Sequence, residues 1–202
     1  MDLSIEPQGR FIGSVRSGQM HDKKWQEFSQ RMAYEGSLHM AVEPLDNAPD
    51  ALAGYNERNL HVLRALASLD ERRAENNGED DNPVMQELLR MDSKINVLME
   101  VVNRLLIPIT QLPGQHVIRF NALGIVVPQD LLPATEQLLV RLHFDACRAL
   151  PLELPGCLER RFDDGSAYIA FIESSEMVED GLERFVFRHH RRKVAEARAT
   201  AL

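Results

Sequence analysis

The chain has 202 residues, a formal net charge of -8 and a pI near 5.4. That balance argues against general binding of nucleic acid or anionic lipid, both of which draw on positive charge, and leaves room only for local basic patches. No stretch is apolar over the roughly 18 residues needed to span a bilayer, and Met1-Asp2-Leu3-Ser4-Ile5-Glu6 lacks a basic region followed by a hydrophobic one, so a cytoplasmic protein without membrane insertion is expected.

A first helix is predicted around Asp22 to Met32, where Trp25, Phe28 and Met32 share a face. In Leu38 to Pro44 the apolar residues Leu38, Met40 and Val42 alternate with others, which suits a half-buried strand ended by Pro44. Asp46 to Pro49 opens a second helix, in which Leu52, Tyr55, Asn59, Val62, Leu66 and Leu69 follow at intervals of 3 and 4, with Leu60, Leu63 and Ala67 widening the apolar face. The polar segment Glu75 to Asp81 is short enough to return the chain antiparallel into a third helix, so the pair reads as a helical hairpin.

That third helix carries a heptad seam. Val84, Leu88, Met91, Ile95, Leu98, Val102 and Leu105 succeed one another at intervals of 4, 3, 4, 3, 4 and 3. Asn82 is placed as the N-cap, Pro83 suits the first helical position, and Pro108 disfavours helix at Ile107. About 25 residues at 1.5 Å each make a rod of roughly 37 Å. Core rules applied to Leu88, Ile95 and Val102 at a, with Leu98 and Leu105 at d, lean toward a parallel dimer. Met85, Met99 and Leu106 at e widen the seam, which favours more than two helices, and a homotetramer is preferred over a dimer.

After Pro108 the period becomes strand-like. Candidate strands are Gln115 to Phe120, Leu123 to Val127, Gln137 to Phe144, Leu152 to Arg161 and Ala167 to Ile172, with turn signals at Pro128, Pro133, Pro155-Gly156 and Asp163-Asp164-Gly165. So many short antiparallel strands need closure into a small barrel or a cover for their edges, and Leu38 to Val42 is available as one more. Ser174 or Ser175 offers an N-cap for a terminal helix in which Val178, Leu182, Phe185 and His189 share a face. The expected fold is α+β in three parts: 1–45, a helix and a strand contributing to the barrel; 46–107, the oligomerising helical hairpin; and 108–202, the barrel and its C-terminal helix.

Chemistry has no visible home in this sequence. No GxxxxGK[ST], GxGxxG, HExxH or GxSxG string occurs, and the acidic pairs lie in predicted loops or at helix edges, so no catalytic residue is assigned and an enzyme is not expected. Cys147 and Cys157, in what reads as strand and loop, lack zinc-site spacing and are taken as packed thiols. His189 and His190 point in different directions on a helix, so no metal site is expected there either. Arg184, Arg188 and Arg192 stand at i, i+4 and i+8 and make one basic stripe, which suits either a solvated face or an acidic or phosphate-bearing partner.

Several segments together resemble the PilZ family, bacterial modules best known as receptors for cyclic di-GMP, and in particular its atypical branch with an inserted helical hairpin. They are Tyr34 to Met40, Tyr55 to Leu69, Asp92 to Ile95, Arg119 to Ile125 and Arg184 to Arg192. The resemblance implies a six-stranded barrel followed by a helix. It also implies a ligand motif, which is mostly missing. Receptor members carry RxxxR just ahead of the first barrel strand, and before Gln115 only Arg104 is on offer. The second motif, Asp/Asn-x-Ser-x-x-Gly, falls on Arg119 to Gly124 and retains only Gly124, which a tight strand connection explains without a ligand. The expected function is therefore a PilZ-like signalling adaptor that works by oligomerisation and contacts with another signalling protein, without cofactor and without cyclic di-GMP bound through the usual motif. The alternative is a cyclic di-GMP receptor using the displaced basic site at Arg184, Arg188 and Arg192.

Overall fold

A computed structural model describes residues 13–45, 49–75, 83–108 and 111–200. The elements in chain order are α1 (Gly13–Gln30), β1 (Tyr34–Pro44), α2 (Pro49–Glu75), α3 (Pro83–Leu106), β2 (Gln115–Asn121), β3 (Gly124–Pro128), β4 (Gln137–Phe144), β5 (Cys147–Arg161), β6 (Ser166–Phe171) and α4 (Glu176–Thr200). The six strands form one closed antiparallel barrel in the order β1-β2-β3-β6-β5-β4, with β4 returning to β1. Closure removes every free sheet edge. The inward residues include Met40, Phe120, Ile125, Leu142, Leu152, Leu154 and Ile169, all essentially inaccessible to water.

α2 and α4 cover the barrel and each other. Val62, Leu63 and Leu66 of α2 join Val178, Leu182, Phe185 and Val186 of α4 in the barrel's own core. Two asparagines of α2 take the part of backbone groups. Buried Asn59 donates to Glu153 O at 2.7 Å and accepts from Glu153 N at 2.8 Å, which docks α2 against β5. Asn56 does the same one turn earlier, donating to Glu173 O and accepting from Ser175 N at 2.7 and 2.9 Å, so it steers the chain into α4. Ser175 rather than Ser174 caps that helix, its hydroxyl accepting from Val178 N at 3.3 Å.

Several boundaries differ from the sequence reading. α1 begins nine residues earlier than expected. β1 starts at Tyr34, because Tyr34 and Gly36 pair with Phe120 and Ile118 of β2 before the apolar alternation begins. Pro155-Gly156 is no turn but the middle of a 15-residue β5 that pairs with β4 and then β6. Pro155 has no N–H to give, yet its carbonyl accepts from Ile172 N at 3.0 Å, and Gly156 is needed because a Cβ there would lie 2.5 Å from Ile169 Cγ2. The same strand holds both cysteines, so Cys147, which falls between the expected strands, is in strand as well; both are free thiols, and burial pushes each above the ordinary thiol range. The Asn82 cap and the 76–82 connection lie outside the described residues.

The β5–β6 hairpin turns at Gly165, whose φ of +81° is in the left-handed region. Asp164 Oδ1 accepts from the Ser166 hydroxyl at 2.6 Å and from Ser166 N at 2.9 Å. These two bonds favour the ionised carboxylate and hold it below its ordinary range. A depressed carboxyl contributes stability above its unfolded value and loses it as pH falls through the folded one. In Ser166→Ala an NMR titration is expected to show Asp164 moving back up; an unchanged titration would rule out the hydroxyl as the cause.

Candidate functional site

Two surfaces have the organisation of a working site, the seam of α3 and the outer face of β2 and β3. On α3, Val84, Leu88, Met91, Ile95, Leu98, Val102 and Leu105 are all exposed, from 45% at Val102 to 77% at Leu105. Helix α2 leaves this seam uncovered, because Val62, Leu63 and Leu66 on its apolar face are buried against the barrel and α4. Leu106, one of the expected e residues, is exposed as well, whereas the side chains of Met85 and Met99 are outside the described set. Val101 at g and Val97 at c are also exposed. Sequence reading passed over both, although counting the g flank as well as the e flank brings Val101 into view.

On the barrel, the segment ahead of the first strand is Gln30 to Ala33, not the Arg104 to Ile107 stretch assumed from Gln115, because β1 is the first strand. It fares no better as a phosphate clamp. Arg31 forms an ion pair with Glu183 at 2.8 Å, and the fourth residue after it is Glu35. At the second motif, the positions belong to the docking of α1. The Asn121 amide donates to Phe28 O at 3.0 Å and its Oδ1 accepts from Leu123 N at 2.9 Å, both within the fold. Arg119 donates to Ser29 O at 3.3 Å, and its guanidinium lies 5.4 Å from the centre of the Phe28 ring.

Gly124 has a steric reason. A Cβ there would lie 2.3 Å from Ile169 O and 2.7 Å from the Tyr168 ring. Trp25 and Phe28 of α1 close over this region against Tyr168, Ala170, Leu123 and Val126, with Trp25 and Tyr168 meeting edge-on at 5.3 Å. Lys24 with Glu159 and Arg160 with Asp22 tie the same helix down at its flank. A cleft of about 430 Å³ remains between the end of α1, Asn121 and α4, floored by Ala122 and Val186 and rimmed by Met32, Phe187 and the Arg31–Glu183 pair. Its only charges are already paired with each other, so it offers an apolar shelf and no seat for phosphates.

The α4 stripe is divided by its surroundings. Arg184 is exposed and grips Asp180 at 3.1 and 3.0 Å, while Arg188 and Arg192 are half-buried. His189 turns toward the barrel and lies 4.2 Å from the Tyr34 ring, whereas His190 is exposed, so the two adjacent histidines do face different ways.

The family model described as an atypical PilZ domain, cyclic di-GMP receptor, matches residues 63–199. The chain belongs to the atypical PilZ family. Its barrel with a terminal helix is the PilZ fold, and its role lies in cyclic di-GMP-related signalling. Among solved structures it is similar to a pathogenic protein from Xanthomonas campestris, described as a tetrameric PilZ domain self-assembled through an unusual helical bundle. The two superpose with a TM-score of 0.66 at 22% identity, over 88% of this chain and 99% of the other. No curated protein matches the chain. Among the described residues no helix is long and apolar enough to cross a membrane.

Proposed function

We propose that this PilZ protein is a non-enzymatic bacterial signalling adaptor, cytoplasmic, which self-assembles through α3 into a four-chain bundle and acts through contacts with another signalling protein. The exposed seam from Val84 to Leu105 carries this reading. Apolar surface so long and continuous is stabilised by about 1.5–3 kcal/mol for each large side chain fully buried, and a bundle of like helices buries it on both flanks. The helical bundle named for the Xanthomonas protein supports the same mode of assembly. The involvement of Arg119 and Asn121 in holding α1 supports a barrel that works without nucleotide at the usual motif. Sedimentation at micromolar protein is expected to give a tetramer, and a monomer would overturn the proposal.

The second reading is a cyclic di-GMP receptor using Arg184, Arg188 and Arg192, which share one side of α4. Calorimetric titration with cyclic di-GMP separates the two. No heat at high protein concentration is expected; binding at micromolar affinity or tighter that disappears in Arg188→Ala would establish the receptor instead.

A further inference from the structure

Among the described residues no group of three or more His, Cys, Asp or Glu side chains is placed to hold a metal ion. One pair, however, is prepared as ligands. His39 of β1 and His143 of β4 stand directly opposite each other across the ladder. Directly opposed residues put their side chains on the same face with Cβ atoms about 4.5–5.5 Å apart. Their neighbours Met40 and Leu142 point into the barrel, so both imidazoles lie on its outer face, half-buried.

Each ring is fixed by a main-chain carbonyl. His39 Nδ1 lies 2.8 Å from Pro113 O and His143 Nδ1 lies 2.9 Å from Arg148 O. A carbonyl only accepts, so each Nδ1 carries the hydrogen, and in the neutral ring Nε2 keeps its lone pair. A carbonyl bonded to the other ring nitrogen orients a metal-ligating histidine and sets its tautomer. Pro113 precedes β2 on one side of β1, and Arg148 belongs to β5 on the far side of β4. The two Nδ1 atoms are thus engaged on opposite sides of the β1–β4 pair, and the Nε2 atoms are the ones left for a ligand. The β4–β5 register shifts between Leu142 and Phe144, so His143 sits at an irregularity and has no register partner on β5. The nearby guanidinium of Arg141 is held by Glu43 and Glu153, which offset its charge.

We propose that His39 and His143 bind one divalent transition-metal ion of the Zn2+, Ni2+ and Cu2+ class through their Nε2 atoms, with water completing the coordination. Mg2+ and Ca2+, which prefer oxygen ligands, are excluded by the donor set. No sequence motif announces the site, because the two histidines meet only when the barrel closes.

The probe is Cu2+ added to the full-length protein, read by calorimetry and by electron paramagnetic resonance. One ion per chain is expected, with the spectrum of two equatorial imidazole nitrogens. His39→Asn and His143→Asn keep an amide donor for Pro113 O and Arg148 O while deleting Nε2. Each should weaken binding by at least the roughly 10-fold seen when a group that only orients a ligand is lost, and should leave one coupled nitrogen. A wild-type spectrum without two coupled nitrogens, or binding unchanged in the double variant, would overturn the proposal. The wild-type spectrum decides without any variant, so poor folding of a variant does not shield the idea.

Discussion

Leu98→Asp is expected to break the assembly while leaving each barrel folded. Leu98 is a d residue at the middle of the seam and 63% exposed in the single chain, so a carboxylate there costs the isolated protein almost nothing. In a bundle the same carboxylate faces its own copies in an apolar layer, where unpaired charge is costly and the leucine burial of about 1.5–3 kcal/mol per chain is lost as well. A total of about 4 kcal/mol or more corresponds to roughly a thousand-fold weaker association. Sedimentation velocity should show smaller species, with far-UV circular dichroism of the barrel unchanged and Leu98→Met assembling normally. An unaltered sedimentation profile in Leu98→Asp would remove the seam from the interface.

Gly124→Val is expected to have the opposite signature, a damaged barrel. The first atom added at this position already meets the Ile169 carbonyl at 2.3 Å, and that carbonyl belongs to β6, which is paired on both sides within the closed barrel. Overpacking of this kind costs about 3 kcal/mol when the backbone must shift. For a chain of this size the melting temperature should then fall by about 6–12 °C. A melting temperature that stays put would show that the glycine is not needed for strand packing, and would return its part in the ligand motif to consideration.

The fold was legible where periodicity and turn chemistry agree. Alternation in Leu38 to Val42, the Asp-Gly turn at Gly165 and the 4,3 repeat in α3 each follow from local side-chain order, and each stands close to its expected place. Pro155-Gly156 misled because turn residues also serve inside a strand that bends from one neighbour to another, and only the approach of Ile169 reveals which use applies. Asn59 stands in the 3,4 repeat of α2 among apolar residues; its purpose, to bond both backbone groups of Glu153, depends on a residue far along the chain. The same limit holds for the sites. The seam was visible because a helix displays its face through local spacing. The role of Asn121 under α1 and the pairing of His39 with His143 arise from long-range register, which no short window of sequence contains.

The placement of α2 and α3 between β1 and β2 has a kinetic consequence. β1 finishes at Pro44, and both strands that flank it, β2 and β4, are made only after the helices. During synthesis β1 therefore waits without neighbours while some 70 residues emerge, and closing the barrel spans a long loop. The equilibrium penalty is mild, since each doubling of loop length adds only about 0.6 kcal/mol, but contacts so distant in sequence slow the search. Lengthening or shortening the rod therefore changes the closure cost of the single barrel little and is felt there mainly as time to fold. Because α3 is complete before most of the barrel exists, chains on neighbouring ribosomes have the opportunity to find one another by their helices first.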